Sequence, residues 1–206
     1  MNRQFKLKGK GSQGRGKSRR HKQSDYSLLL PIVRKEDLPE EYRHTAIEDL
    51  LLYHNLNYPF DSYNRVEMLV LTCIDHRIML NLPNNFSYII RNSGAKIDNV
   101  KFAVSFAVAV AKIKTIALIG HMDCMMLNIE RHKTGFIKGL EEQGWKRHRA
   151  EKFFKKMQPV FGIKNVVRSL IDDAAKLRSW YPKTLIVPVC YSEKEKKLYL
   201  VKEDRA

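Results

Sequence analysis

Two short runs carry residues that can do chemistry together: Cys73-Ile74-Asp75-His76-Arg77 and, more than forty residues later, His121-Met122-Asp123-Cys124. Two thiols and an imidazole suit zinc, which takes sulfur and nitrogen ligands in a tetrahedron. Three such ligands leave one corner open, the mark of a catalytic rather than a structural zinc. A cysteine in a buried strand is ordinarily a small hydrophobe. Cys190, closing the apolar run Leu185-Ile186-Val187-Pro188-Val189-Cys190, reads that way. Cys73 and Cys124 differ because both motifs follow apolar, strand-like segments.

Those segments must position the ligands. Residues 66–72 (Val-Glu-Met-Leu-Val-Leu-Thr) lead into Cys73, and residues 114–120 lead into His121. A parallel sheet brings such strand ends together, and ligands in open α/β folds collect at the carboxyl ends of strands. Residues 86–91 read as a second strand between them, and residues 184–190 and 197–201 as two more, the last antiparallel. The spacing of Ala46, Ile47, Leu50 and Leu51 predicts a first helix starting near Pro39 and running to about Asn55. Asp98 is placed to cap a helix through Ala109 that is apolar nearly all round, hence buried, at a subunit interface for example. After His121 a short helix is expected, with His121 and Cys124 on one turn. Residues 138–158 read as a charged helix or helix pair broken at Gly144, with Trp145, Phe153, Phe154 and Met157 inward. A further helix spans about residues 163–180. The apolar run Leu28-Leu29-Leu30-Pro31-Ile32-Val33 reads as an arm laid across a partner subunit.

The residues now in view resemble the β-class carbonic anhydrases, in particular the small bacterial and archaeal branch. That family carries Cys-x-Asp-x-Arg, then Arg-Asn-Ala-Gly-Asn, then Gly-His-x-x-Cys-Gly, each after a core strand. Here the order is Cys73-Ile74-Asp75-His76-Arg77, Arg91-Asn92-Ser93-Gly94-Ala95 and Gly120-His121-Met122-Asp123-Cys124-Met125. The resemblance covers roughly residues 45–202. It implies an α/β fold: a mostly parallel sheet of four parallel strands plus a short antiparallel edge strand, flanked by helices in one domain over residues 28–206. It implies zinc on Cys73, His121 and Cys124, and reversible hydration of carbon dioxide to bicarbonate by a zinc-bound hydroxide. Zinc lowers the pKa of its water from about 16 to about 7. The resemblance gives Asp75 the task of orienting that hydroxide and Arg77 that of holding Asp75. It also allows a closed state with Asp75 as fourth zinc ligand, and implies a dimer-based assembly. Ser93, Gly94 and Met125 fall at the substrate pocket. Three positions depart from the pattern. His76 replaces a small residue and is a candidate proton shuttle, Met125 replaces a glycine, and Ala95 replaces an asparagine.

Composition fits a single domain with a full core. Three cysteines, an odd number, argue for a reducing compartment such as the cytoplasm. No apolar run reaches the length of a membrane span, and the N-terminus lacks an apolar signal core. Residues 1–27 hold nine Lys and Arg against one acid, half of the chain's net charge of +16. Such a segment is expected to be disordered, and its first 24 residues leave an organelle transit peptide open.

Two rival readings stand beside carbon dioxide hydration. One is hydrolysis of carbonyl sulfide or carbon disulfide on the same zinc, favoured by apolar Met125 and Met126. The other is a catalytically degenerate zinc domain acting as a scaffold, with the basic tail holding an acidic protein, nucleic-acid phosphate or a carbon-fixing assembly. The tail has no aromatic interleaving for base stacking, so phosphate contact alone would hold a nucleic acid.

Overall fold

The computed structural model describes residues 27–59 and 62–203. The basic segment expected at residues 1–27 therefore lies outside the described residues, Ser27 apart. Six strands form one sheet: β1 (Leu29–Pro31), β2 (Met68–Cys73), β3 (Ser87–Asn92), β4 (Thr115–His121), β5 (Leu185–Ser192) and β6 (Lys197–Val201), in the order β1-β6-β5-β4-β2-β3. Around it pack α1 (Ala46–Leu56), α2 (Lys101–Ala109), α3 (Lys133–Glu142), α4 (Arg147–Phe161) and α5 (Val166–Trp180).

Strands β3, β2, β4 and β5 are parallel, and β6 returns antiparallel to β5. Every residue of β2 and β4 is buried, as expected of central strands covered on both faces. Their register pairs Leu69 with Ile116 and Thr72 with Ile119. Cys73 and His121 thus leave the sheet at the same end. No helix among the described residues is long and apolar enough to cross a membrane.

Three expectations are corrected. The Leu28–Val33 run, expected as an arm across a partner, is in part a strand of the chain's own sheet: Leu29–Pro31 pairs with β6, with Leu29 opposite Val201. Pairing there satisfies backbone groups that β6 would otherwise leave open. It also makes β1, not β6, the edge. The first helix starts at Ala46 rather than Pro39. Residues Glu40–Tyr42 form only a single 3-10 turn, His44 takes a left-handed φ of 59°, and Thr45 caps the helix by accepting the Ile47 N–H at 3.2 Å. Finally, α2 is not buried all round within the chain. Only Val104 and Ala107 are buried, whereas Phe102 is 84% exposed. Asp98 caps nothing and instead pairs with Lys176. The break at Gly144 stands, with φ of 87° between α3 and α4.

Polar side chains on α1 tie this frame together. The buried Asn55 amide donates to Ile32 O at 3.2 Å and Leu198 O at 2.8 Å, and accepts the Leu198 N–H at 2.9 Å. Replacing it with a similar-sized apolar group strands those backbone groups. Asn55→Leu is expected to cost about 2–4 kcal/mol, read as a lower urea midpoint at unchanged m. Beside it, buried His54 accepts the Asn81 N–H on Nδ1 at 3.0 Å. Burial holds its pKa below the ordinary 6.5. The unfolded chain therefore takes up a proton that the native imidazole refuses. Stability is lost as pH falls through the ordinary imidazole range, until the native imidazole protonates too. Urea titrations at pH 7.5 and 5.5 should show this loss, and His54→Gln should shrink it.

Candidate metal centre

Strand β2 ends in Cys73, and the next residues turn so that Ile78 N–H bonds back to Asp75 O at 3.2 Å. Strand β4 ends in His121, and the chain then turns rather than entering the expected short helix. The Leu127 N–H closes that turn on Cys124 O at 3.0 Å. The turn alone is enough to bring the second sulfur to the first, with the Sγ atoms of Cys73 and Cys124 3.9 Å apart. One ligand atom from each of Cys73, His121 and Cys124 lies within 4.8 Å of the others, and all three residues are buried. Cys190 is buried in β5 and belongs to no such group, in keeping with its expected core role.

The electrostatics of this group are those of a cation site. The Cys124 thiol beside it, then His121 and backbone N–H groups including that of Gly94, push Cys73 down to about 4 against the effect of burial. Cys124 is pushed up, first by Cys73 and then by burial. A thiol lowered in this way gives up its proton to a metal more readily. The Gly94 N–H points at Cys73 Sγ from 3.3 Å. Gly94 has φ of 71°, and a Cβ there would come within 3.0 Å of the Ile163 side chain, so glycine is needed for this approach.

His121 shows the same design from the other side. Its Nδ1 lies 2.5 Å from Glu193 Oε1, a carboxylate delivered by the end of β5. Donation from Nδ1 to the carboxylate turns Nε2 toward the sulfurs, as the nitrogen that a metal would take once its proton has left. Nε2 is buried and makes no hydrogen bond. An orphaned imidazole nitrogen beside two sulfurs fits a soft divalent cation, and zinc by donor type. Burial would lower the His121 pKa, but Cys73 and Glu193 outweigh it and raise it to about 9. Burial works against charge on Glu193 too, but His121 pulls it below its ordinary value.

Asp75 sits at the rim of the group, its Oδ2 3.9 Å from His121 Nε2. Arg77 forks it: Nε reaches Oδ1 at 2.9 Å and Nη2 reaches Oδ2 at 2.7 Å, while the Arg77 backbone N–H adds a bond to Oδ1 at 2.9 Å. These bonds hold the Asp75 carboxyl well below the usual carboxylate range. Arg77 is itself anchored across the site by Asp123 Oδ2 at 2.8 Å and Asp123 O at 2.9 Å. His76 points outward, its side chain 94% exposed, with Nδ1 3.9 Å from Asp75 Oδ1. Ser93 and Met125 both line a groove beside the centre. Met125 is 57% exposed and does not turn into the core.

Sequence reasoning missed three contributors. Glu193 belongs to no motif, although it follows the strand next to β4 at the same carboxyl end. Asp123 was read only as a spacer within His121-x-x-Cys124. Arg91 was read only as part of a motif, yet its Nη2 donates to Ile78 O at 2.9 Å and steadies the loop that carries Asp75 and Arg77.

A mostly parallel α/β sheet with a buried Cys-His-Cys group at its carboxyl edge is an architecture suited to holding a metal ion. The family model described as carbonic anhydrase matches residues 68–172, just over half of the chain. The chain belongs to the carbonic anhydrase family, in its β class, and the enzyme class expected from the sequence stands. Among solved structures, β-carbonic anhydrase isoform I from Trichomonas vaginalis is similar in fold, with a TM-score of 0.58 and 15% identity over 80% of this chain and 99% of that one. A carbonic anhydrase from Glaciozyma antarctica gives a TM-score of 0.54 and 20% identity over 66% and 83% of the two chains. An apo carbon disulfide hydrolase gives 0.52 and 21% over 78% and 87%. No curated protein matches the chain.

Because Glu193 fixes the His121 tautomer, its loss should be felt in metal affinity. Glu193→Ala is expected to weaken zinc binding about 10–100-fold, measured by competition with a chromogenic chelator, with the fold unchanged by circular dichroism.

Proposed function

We propose that this protein interconverts carbon dioxide and bicarbonate at a zinc ion held by Cys73, His121 and Cys124. The observation that carries the reading is the buried His121 Nε2, without a hydrogen-bond partner, beside two sulfurs 3.9 Å apart. Bound zinc would supply an acidified water that is a nucleophile at neutral pH.

The chain's own residues do the rest. Asp75, kept ionised by the Arg77 fork, has acceptors but no proton to give. It therefore accepts the O–H of the attacking oxygen at Oδ2 and turns that oxygen's lone pair toward the carbon. Arg77, tied to Asp123, keeps the carboxylate from swinging in to become a fourth ligand. Breaking the fork frees Asp75 for the closed state. His76 stands in solvent beside Asp75, placed to carry the released proton away. Ser93, Gly94 and Met125 wall the substrate side.

A second reading, hydrolysis of carbonyl sulfide or carbon disulfide, is favoured by one observation: the exposed apolar Met125 immediately after Cys124. Assays with the three substrates side by side decide between the two. Assembly as a dimer is proposed from the apolar surface that α2 and the edge strand β3 leave open at Phe102, Phe106, Val110, Tyr88 and Ile89. Light scattering at micromolar concentration should find no stable, active monomer.

Metal analysis and stopped-flow hydration test the main reading. Cys73→Ser and Cys124→Ser should lose zinc, and Cys190→Ser should keep it. Asp75→Asn should keep zinc while hydration falls by about two orders of magnitude or more. Wild-type protein that holds zinc yet hydrates no faster than buffer between about pH 7 and 9, the range around the pKa of a zinc water, would overturn carbon dioxide as the substrate.

A further inference from the structure

Beside the centre, but outside it, lies a groove of about 580 Å³ between the loop after Cys124 and helices α3 and α4. Met125, Met126, Phe136, Phe153, Phe154 and Met157 give it an apolar wall. The aromatic part is built as a cluster, with Phe136 5.3 Å from Phe154 and 6.2 Å from Phe153 between ring centroids. Trp145 stands 5.7 Å from Phe153. Phe136 and Phe153 nonetheless remain 37% and 41% exposed. The volume and lining are those of a pocket for a small organic molecule.

The polar groups of the groove include two adjacent residues that offer N–H groups. Arg131 Nε donates to His132 Nε2 at 3.0 Å. That bond makes His132 Nε2 the acceptor and leaves its Nδ1 to carry the proton of a neutral ring. The two Arg131 Nη groups have no ion pair among the described residues, and the neighbouring Glu130 is engaged by Lys133 at 3.3 Å. A guanidinium free at the mouth of an apolar groove matches a carboxylate carried on an apolar chain. We propose that this groove is a binding site for amphipathic monocarboxylates of the medium-chain fatty-acid class, with the carboxylate on Arg131 and the chain along the Phe136–Phe153 wall. A second copy of the chain is the poorer occupant. The groove is concave and cationic, whereas α2 and β3 offer open apolar surface elsewhere.

Met125 follows Cys124, and Ser93 precedes Gly94, whose N–H holds Cys73 Sγ. An occupant therefore touches the loop that carries Cys124 and the loop whose Gly94 N–H holds Cys73 Sγ, as a modulator rather than a substrate. Binding itself does not depend on the proposed zinc chemistry, so its test is separate from the hydration assay.

The experiment is calorimetric titration of the full-length protein with decanoate and with decanol, alongside Trp145 fluorescence. Decanoate should bind with a dissociation constant of the order of tens of micromolar. Arg131→Gln should weaken decanoate about tenfold and leave decanol unchanged. Gly135 lines the groove and has nothing within 4 Å of a would-be Cβ. Gly135→Leu should therefore fold normally and abolish binding of both. Absence of decanoate binding, equal binding of both probes with no response to Arg131→Gln, or dissociation of an oligomer by Gly135→Leu would each overturn the proposal.

Discussion

The parallel register of β2 on β4 is the constraint from which the centre follows. Pairing of Leu69 with Ile116 through Thr72 with Ile119 leaves Cys73 one residue and His121 two residues beyond the last paired residues, on the same edge. A slip of one residue would turn each side chain to the opposite face. Both strands are buried on both faces, so such a slip would have to repack the entire core around them. The ligand geometry is thereby fixed by core packing rather than by the loops. Strand β5, in register with β4 up to His121 opposite Tyr191, brings Glu193 to the same edge by the same means.

Charge at that edge is arranged so that each group limits another. Asp75, Asp123 and Glu193 are three carboxylates around a single guanidinium, with Arg77 bonded to the first two and 4.0 Å from the third. Unpaired, carboxylates so close together would raise one another's pKa. The Arg77 fork keeps Asp75 ionised, and His121 does the same for Glu193. The imidazole is held by one nitrogen with the other left bare, which is how a histidine ligand is fixed before a metal arrives. The centre is thus pre-organised by hydrogen bonds among residues that do not themselves ligate.

Much of this was legible in the sequence. The two motifs lie beyond runs whose apolar continuity marks central parallel strands, and Cys73, His121 and Cys124 meet as that pattern predicts. Strand β6 falls on residues 197–201 as expected, and the four parallel strands shift by no more than two residues at either end. What was not legible depends on partners distant in sequence. Leu29–Pro31 is a strand only because β6, some 170 residues on, needs a neighbour. Glu193 looks like any charged turn residue until β5 is known to lie beside β4. The helix α2 reads as buried because its composition is apolar, but composition cannot say that the chain covers only its Val104 and Ala107 side. The early start given to α1 failed for a local reason: His44 adopts a left-handed conformation that pattern reading does not anticipate.

Two of the three departures from the family pattern, Ala95 and Met125, lie on one side of the centre, and the third, His76, stands in solvent beside Asp75. Ala95 stands where the family has asparagine and adopts φ of 56°, a left-handed conformation that asparagine tolerates better than alanine. It is buried, directly after Gly94, whose approach to Cys73 is bounded by Met126 and Ile163. Met125, in place of glycine, projects into the groove that Met126 also lines. Ala95 and Met125 thus touch the loops behind the sulfurs, whereas Cys73, His121, Cys124 and the Asp75–Arg77 pair stand at the motif positions. The two substitutions change what lies against the centre and leave its own side chains in place.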